Sequence, residues 1–181
     1  KQKIEDGERH ALFTLVSPFL KDIVYYTNKN SINLFAEALG ELISPTDYAR
    51  TVKAELSGMG IDSCGITLKD ASGLSPANAV PAEVFTDLLI WAKGHLSDVF
   101  VASLPQGNVD WGLRIYSDHP ILRGNILAKT GSMSGVRALA GYLKTQRGET
   151  LAFTILVNNY VGDPVKVQEI IRDLLKEFAD K

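Results

Sequence analysis

The chain has 181 residues, 45% of them apolar and 22% charged, with a formal net charge of −2 at pH 7. It is long enough to bury a core within one domain, and without basic clusters it presents no electrostatic footprint for nucleic acid or an anionic membrane. No run approaches the roughly 18 apolar residues of a membrane span, Lys1 to Asp6 lack a signal peptide's apolar region, and the sole cysteine, Cys64, excludes an internal disulfide, leaving a small buried apolar residue as its expected role.

Taken in order, residues 1–10 are charged and expected to fray, and Ala11 to Val16 reads as a short apolar strand. Ser17-Pro18 predicts a helix start, since serine can cap free N–H groups and proline at the first helical position loses no hydrogen bond. Phe19, Leu20, Ile23 and Val24 form its expected buried stripe. Thr27-Asn28-Lys29-Asn30 ends it, and Leu34, Phe35, Ala38, Leu39 and Leu42 mark a second helix. Ser31-Ile32-Asn33 therefore falls at a helix junction, where two helices can hold polar side chains toward a cleft. Plain helix capping by Asn30 or Ser31 is the alternative role.

Ser44-Pro45 repeats the start signal for a third helix bearing Tyr48, Val52, Leu56 and Met59, closed by Gly58 and Gly60. Residues 61–79 read as loop, dense in turn formers from Asp70 to Pro76. Pro81 opens a fourth helix with Val84, Leu88, Leu89 and Ala92 inward, ended by Gly94. A short helix over Leu96 to Ala102 and an irregular stretch through Trp111 and Tyr116 lead to a turn at Arg123-Gly124-Asn125. Trp91 and Trp111 are expected in the core or in a cleft wall.

Three strands follow, Ile126 to Met133, Val136 to Lys144 and Leu151 to Val157, joined by turns at Ser134-Gly135 and Gln146-Arg147-Gly148. They predict an antiparallel meander. The third is apolar on nearly both faces, so helices should cover both sides of the sheet. Asp163-Pro164 caps a last helix with Val167, Ile170, Ile171, Leu174, Leu175 and Phe178 on one side. The fold class is α+β, one domain over residues 1–181, with the last helix on one sheet face and earlier helices on the other.

Lys129-Thr130-Gly131 in the first strand is weak evidence of chemistry alone, with a solvated edge strand as the alternative. Together with Ser31-x-Asn33 upstream it matches two of the three motifs, S-x-x-K, S-x-N and K-T-G, of penicillin-binding proteins and serine β-lactamases. Asn30 to Glu37, Asp70 to Ser75, Ser103-Leu104-Pro105, Ala128 to Val136, Leu139-Ala140-Gly141-Tyr142 and Val157-Asn158-Asn159 follow in order. This set resembles the D-alanyl-D-alanine carboxypeptidase/endopeptidase family of class C low-molecular-mass penicillin-binding proteins. Ser72-Gly73-Leu74-Ser75 favours that family over the β-lactamases.

The resemblance implies a serine β-lactamase/penicillin-binding transpeptidase-like fold and acyl transfer from peptidoglycan stem peptides ending in D-Ala-D-Ala, with β-lactams as acylating agents. Ser31 would relay a proton, Asn33 hold the substrate amide, and Lys129 supply positive charge near Ser31. Thr130 would bond the substrate carboxylate, Gly131 admit the substrate strand, and the Ser132 N–H serve as one oxyanion donor. Two departures stand out. Ile32 occupies the middle of S-x-N where the family usually has Asp or Asn, and no serine has a lysine three positions later. In the family that nucleophile segment lies N-terminal to S-x-N. The expectation is thus a C-terminal portion of a periplasmic or extracytoplasmic enzyme, inactive alone, whose third strand pairs with the N-terminal portion or another chain. A non-catalytic module that binds wall peptides or a partner is the alternative. His10, His95 and His119 share no ligand spacing, so neither metal nor cofactor is expected.

Overall fold

The computed structural model describes residues 12–96, 98–116 and 118–181, so the expected fraying of residues 1–10 lies outside the described residues. Five helices, α1 (Leu20–Asn30), α2 (Asn33–Ile43), α3 (Tyr48–Gly58), α4 (Ala82–His95) and α5 (Asp98–Ser103), precede the sheet. Strands β1 (Ile126–Met133), β2 (Val136–Lys144) and β3 (Thr150–Asn158) are antiparallel neighbours in that order, and α6 (Pro164–Ala179) follows. Among the described residues no helix is long and apolar enough to cross a membrane.

The meander is set by its turns. Gly135 takes φ 68 and Gly148 φ 83, left-handed values that glycine adopts without a Cβ clash. They place Met133 opposite Val136 and Leu143 opposite Leu151. Because side chains alternate along a strand, this register sorts the residues onto two faces. Ile126, Ala128, Leu139 and Leu143 share one face with Phe153, Ile155 and Val157, and α6 covers it with Ile171, Leu175 and Ala179. The other face carries Leu127, Ala140, Tyr142 and Ala152 against Leu89 of α4 and Leu104. There the Tyr142 hydroxyl donates to the Leu89 carbonyl at 2.7 Å, and the Thr86 hydroxyl donates to that of Thr154 at 3.0 Å. A separate apolar cluster of Leu56, Ile61, Ile66 and Val84 ties α3 to α4. The expected α+β arrangement, with helices on both faces, is what the chain adopts.

Several local expectations are corrected. Residues 12–16 form no strand, and Leu12, Phe13, Leu15 and Val16 are exposed, because an apolar run becomes a strand only where another strand accepts its backbone bonds; Ala11 lies outside the described residues. The first helix opens at Leu20 after Phe19, whose carbonyl accepts from the Asp22 and Ile23 N–H groups, and not at Ser17-Pro18. Its expected stripe is not buried: Phe19 and Leu20 are exposed, Ile23 and Val24 half-buried. On α2, Leu34 and Leu42 are likewise exposed, and Gly40 is the buried residue, since an added Cβ there would meet Ala71 Cβ at 2.6 Å. Periodicity identifies an apolar face but not its partner.

Asp47, not Ser44, caps α3 by accepting from the Arg50 N–H, while Ser44 Oγ accepts from the Asp47 N–H. On α6 the buried stripe narrows to Ile171, Leu175 and Ala179, with Ile170, Leu174 and Phe178 exposed. Cys64 is exposed in a turn where its N–H donates to Asp62 Oδ1, so it is no core residue. Trp111 is 87% exposed and opens a 3-10 turn at Trp111–Leu113; the irregular backbone there offers no apolar layer to cover it. Trp91 is half-buried, stacked on His95.

Candidate active site

Helix α1 ends with its chain reversed. Ser31 takes φ 54 and ψ 49, the left-handed conformation, and Ile32 is extended before α2 begins at Asn33. The Ser31 and Ile32 N–H groups both donate to the Thr27 carbonyl, closing the last turn of α1. A left-handed serine is uncommon, since its Cβ crowds the backbone. Here it turns the hydroxyl out of α1 toward the sheet. Ser31 and Asn30 do not cap α2, whose N-cap is Ile32 without a side-chain bond. Asn30 instead donates to the Tyr26 carbonyl at 3.4 Å.

Lys129 lies on β1, on the sheet face that carries Leu127, and reaches this turn. Its Nζ donates to Ser31 Oγ at 2.9 Å and to the Thr130 carbonyl at 2.7 Å. The side chain is half-buried, and burial pulls its ammonium below the usual lysine range. An ammonium occupying one acceptor site of Ser31 Oγ leaves that hydroxyl's own proton free to point elsewhere. Lys129 is therefore no solvated edge residue. Asn33, the first residue of α2, is exposed beside the turn.

The backbone of β1 faces the site through alternation. The Ala128 N–H donates to the Pro105 carbonyl, and the Ile126 carbonyl accepts from the Gly107 N–H, so even-numbered residues direct their amides away from β2. With no break in the β1–β2 register, the N–H groups of Thr130 and Ser132 face that same outer edge. Gly131 sits opposite Ala138, and a Cβ on it would approach Ala138 Cβ at 3.2 Å. Its missing side chain therefore serves close sheet packing.

Three further ties hold the turn in place. Asn28 Nδ2 donates to the buried Ser103 Oγ at 2.8 Å, which in turn donates to the Phe100 carbonyl. Lys29 Nζ donates to the Leu104 carbonyl at 2.7 Å and to Asp110 Oδ2 at 3.0 Å. On α2, Glu37 Oε1 accepts from the Ser72 N–H at 2.9 Å, which links S-x-N to the loop of residues 70–75. Hydrogen bonding from Ser72, first through its side chain, holds the Glu37 carboxyl below its ordinary value. Burial pushes the Asp70 carboxyl up, but the Asn78 amide and the N–H groups of Gly73, Ser75 and Leu74 together bring it below normal. Tyr48 beside them is pushed up by burial, with Glu37 and Asp70 adding to it.

The sequence profile of the D-Ala-D-Ala carboxypeptidase 3 (S13) family matches residues 2–181. The chain belongs to this family. It is 34% identical, over 97% of its own length, to a D-alanyl-D-alanine carboxypeptidase of Actinomadura sp. (strain R39), and covers 34% of that protein. Among solved structures it resembles penicillin-binding protein 4 (dacB) from Haemophilus influenzae complexed with a β-lactam. That likeness has a TM-score of 0.81 at 28% identity, covering 88% of this chain and 41% of that one. TLA-1 extended-spectrum β-lactamase, at 18% identity and a TM-score of 0.71 over 89% of this chain and 63% of that one, shares the fold. The chain thus spans about a third of the length of the curated relatives it matches.

Of the residues singled out from sequence, Ser31 and Lys129 are in direct contact, Thr130, Gly131 and Ser132 continue the same strand, and Asn33 starts the adjoining helix. Lys29 and Asp110, which tie the turn to the segment before the sheet, were not singled out from sequence. Lys29 sits in a polar tetrad that reads only as a helix end, and Asp110 in an irregular stretch with no periodicity. A cavity of about 320 Å³ bounded by Asn108, Asp110, Trp111, Arg114, Asp118 and Arg123 includes none of Ser31, Asn33 or Lys129. It shares Asp110 with the ties that hold the turn.

Proposed function

We propose that the protein carrying this chain is a serine D-Ala-D-Ala carboxypeptidase or endopeptidase that cleaves peptidoglycan stem peptides through an acyl-enzyme and is acylated by β-lactams. The observation that supports this most is the 2.9 Å bond from Lys129 Nζ to Ser31 Oγ across 98 positions of sequence. Cleaving the terminal amide requires a serine nucleophile, a proton for the departing amine, a cation near the terminal carboxylate and donors for the tetrahedral oxyanion. In this reading Ser31 relays one proton, giving its own hydroxyl proton to the departing amine while taking up the proton released from the attacking serine, and Lys129 stabilises the negative charge that develops on the Ser31 oxygen in passing. Thr130 bonds the terminal carboxylate, and Asn33 holds the substrate amide. Gly131 admits the substrate strand along β1. The outward N–H of Ser132 is one oxyanion donor, a contribution that typically lowers such a barrier by about 3–4 kcal/mol.

No serine in the sequence has a lysine three positions on. The nucleophile then comes from a segment outside these 181 residues, and the chain is the C-terminal portion of one transpeptidase-like domain in a periplasmic or other extracytoplasmic protein. β3 forms an end of the sheet among the described residues, and its apolar run from Leu151 to Val157 is half-buried. We assign that edge to pairing with a segment from the same missing portion.

Intact-mass analysis after incubation with benzylpenicillin tests the reading. A longer product of the gene that includes this segment gains one β-lactam mass on a serine outside residues 1–181, and the 181-residue chain alone gains none. A folded longer protein that stays adduct-free overturns the function. An adduct on Ser31 or Ser132 overturns the assignment of their roles.

A further inference from the structure

Lys29 is a charged side chain only 12% exposed, two residues before Ser31 in the last turn of α1. Its partner Asp110 is 22% exposed, and the pair is 3.0 Å apart. Taking both charges from water opposes folding, and such pairs are poor sources of net stability. They do demand a particular geometry. Lys29 meets that demand with a second acceptor, the Leu104 carbonyl, and Asp110 Oδ2 also accepts from the Gln106 N–H at 2.7 Å. The Asp110 N–H returns a bond to the Gln106 carbonyl at 2.9 Å.

What matters is where this turn is anchored. Gln106 bridges to Leu127 of β1, and Gly112, two residues after Asp110, packs so that a Cβ on it would lie 3.6 Å from Thr130 Oγ1. The segment is therefore bonded to β1 at Leu127, and the turn that follows Asp110 lies beside Thr130, so it meets the strand on both sides of Lys129. Lys29 joins that segment to the helix that ends in Ser31. The two halves of the Ser31–Lys129 contact are each one short connection from the same half-buried ion pair.

We propose that Lys29 and Asp110 are positioning residues that set the distance between Ser31 Oγ and Lys129 Nζ for acyl transfer. This rests on the function proposed above. Neither residue touches the reacting atoms, and neither S-x-N nor K-T-G includes them. A misplacement of about 1 Å at such a contact lowers a rate on the order of 100-fold.

The test uses the longer protein, free of β-lactam, and follows the rate of its acylation by a fluorescent penicillin. Lys29→Met and Asp110→Asn should each lower the maximum acylation rate about 10- to 100-fold, with little change in the penicillin concentration at half-saturation. The double variant should be no slower than the worse single one, and Lys29→Arg should recover most of the rate. The decisive arm places Lys29→Met in a Lys129→Met background, where it should add no further loss. Wild-type rates in folded Lys29→Met and Asp110→Asn overturn the proposal, as does an equal loss with and without Lys129. A loss that tracks the unfolded fraction, or failure of every variant to fold, also overturns it by making the pair merely structural. If the wild-type protein takes no adduct, the functional reading falls and this inference with it; normal wild-type acylation with unaffected variants removes this inference alone.

Discussion

Gly141 of β2 and Leu127 of β1 are so close that a Cβ added to Gly141 would collide with the Leu127 carbonyl oxygen and lie 2.5 Å from Ala128 Cα. Both obstacles are backbone, held by the register that also places Lys129 two residues on. Gly141→Ala should therefore destabilise the chain by about 3 kcal/mol or more, at the upper end of overpacking effects. Gly94→Ala supplies the contrast. Gly94 lies inside α4 with nothing within 4 Å of an added Cβ, so alanine should stabilise by roughly 0.5–1 kcal/mol. Urea unfolding of both variants measures the pair, and equal effects would contradict this packing.

Ser31 holds a conformation better suited to glycine, at the position after a helix where glycine is the usual residue. Serine at φ 54 carries a steric cost of about 1–2 kcal/mol that glycine avoids. Ser31→Gly and Ser31→Ala both remove the bond to Lys129, so the difference between them isolates the backbone. We expect the glycine variant to be the more stable by about 1 kcal/mol, while neither supports normal β-lactam acylation in the longer protein. Thermal unfolding of the two variants checks the first expectation. An alanine variant as stable as the glycine one would show that Ser31 is not strained.

The parts of the fold that could be read from sequence are those set by neighbours in the chain. The Ser134-Gly135 and Gln146-Arg147-Gly148 turns and the alternation between them locate β1 and β2 to the residue, and β3 to within one at each end. The exposed stripes on α1 and α2 could not be judged in this way, because a helix pattern names a face without naming what meets it. The site divides similarly. Nothing in periodicity brings Ser31 to Lys129, and their pairing was expected only from the order of motifs. Lys29 and Asp110 belong to no motif and lie 81 positions apart, so only the folded backbone relates them.

Lys129 gives the chain a pH dependence with a definite sign. Burial holds its folded pKa below the ordinary 10.5, so between those two values the unfolded chain binds more protons than the folded one. Stability must rise with pH across that window and level off above it. Lys129→Met lacks the group and lacks the rise. The unfolding free energy of the wild-type chain relative to Lys129→Met should therefore increase with pH as 10.5 is approached from below. A constant difference across that range would mean that Lys129 is as well solvated folded as unfolded.

The loop of residues 70–78 should loosen on the acid side for the opposite reason. Ser72 and Ala71 hold the Glu37 carboxyl below 4.5, and the donors around Asp70 outweigh burial to hold that group below 3.8. Each carboxylate contributes stability that is fully present above its unfolded value and disappears as pH falls through the lower folded value. The bonds at stake are local: Glu37 accepts from Ser72 and Ala71, and Asp70 from Gly73, Ser75 and Asn78. Amide hydrogen exchange should show protection at Ser72, Gly73 and Ser75 falling together below about pH 4, before the sheet opens. Glu37→Gln should lower protection at Ser72 already at neutral pH and flatten its acid dependence, leaving Ser75 to follow Asp70. Simultaneous loss of protection in the loop and at Leu139 would instead assign the acid transition to global unfolding.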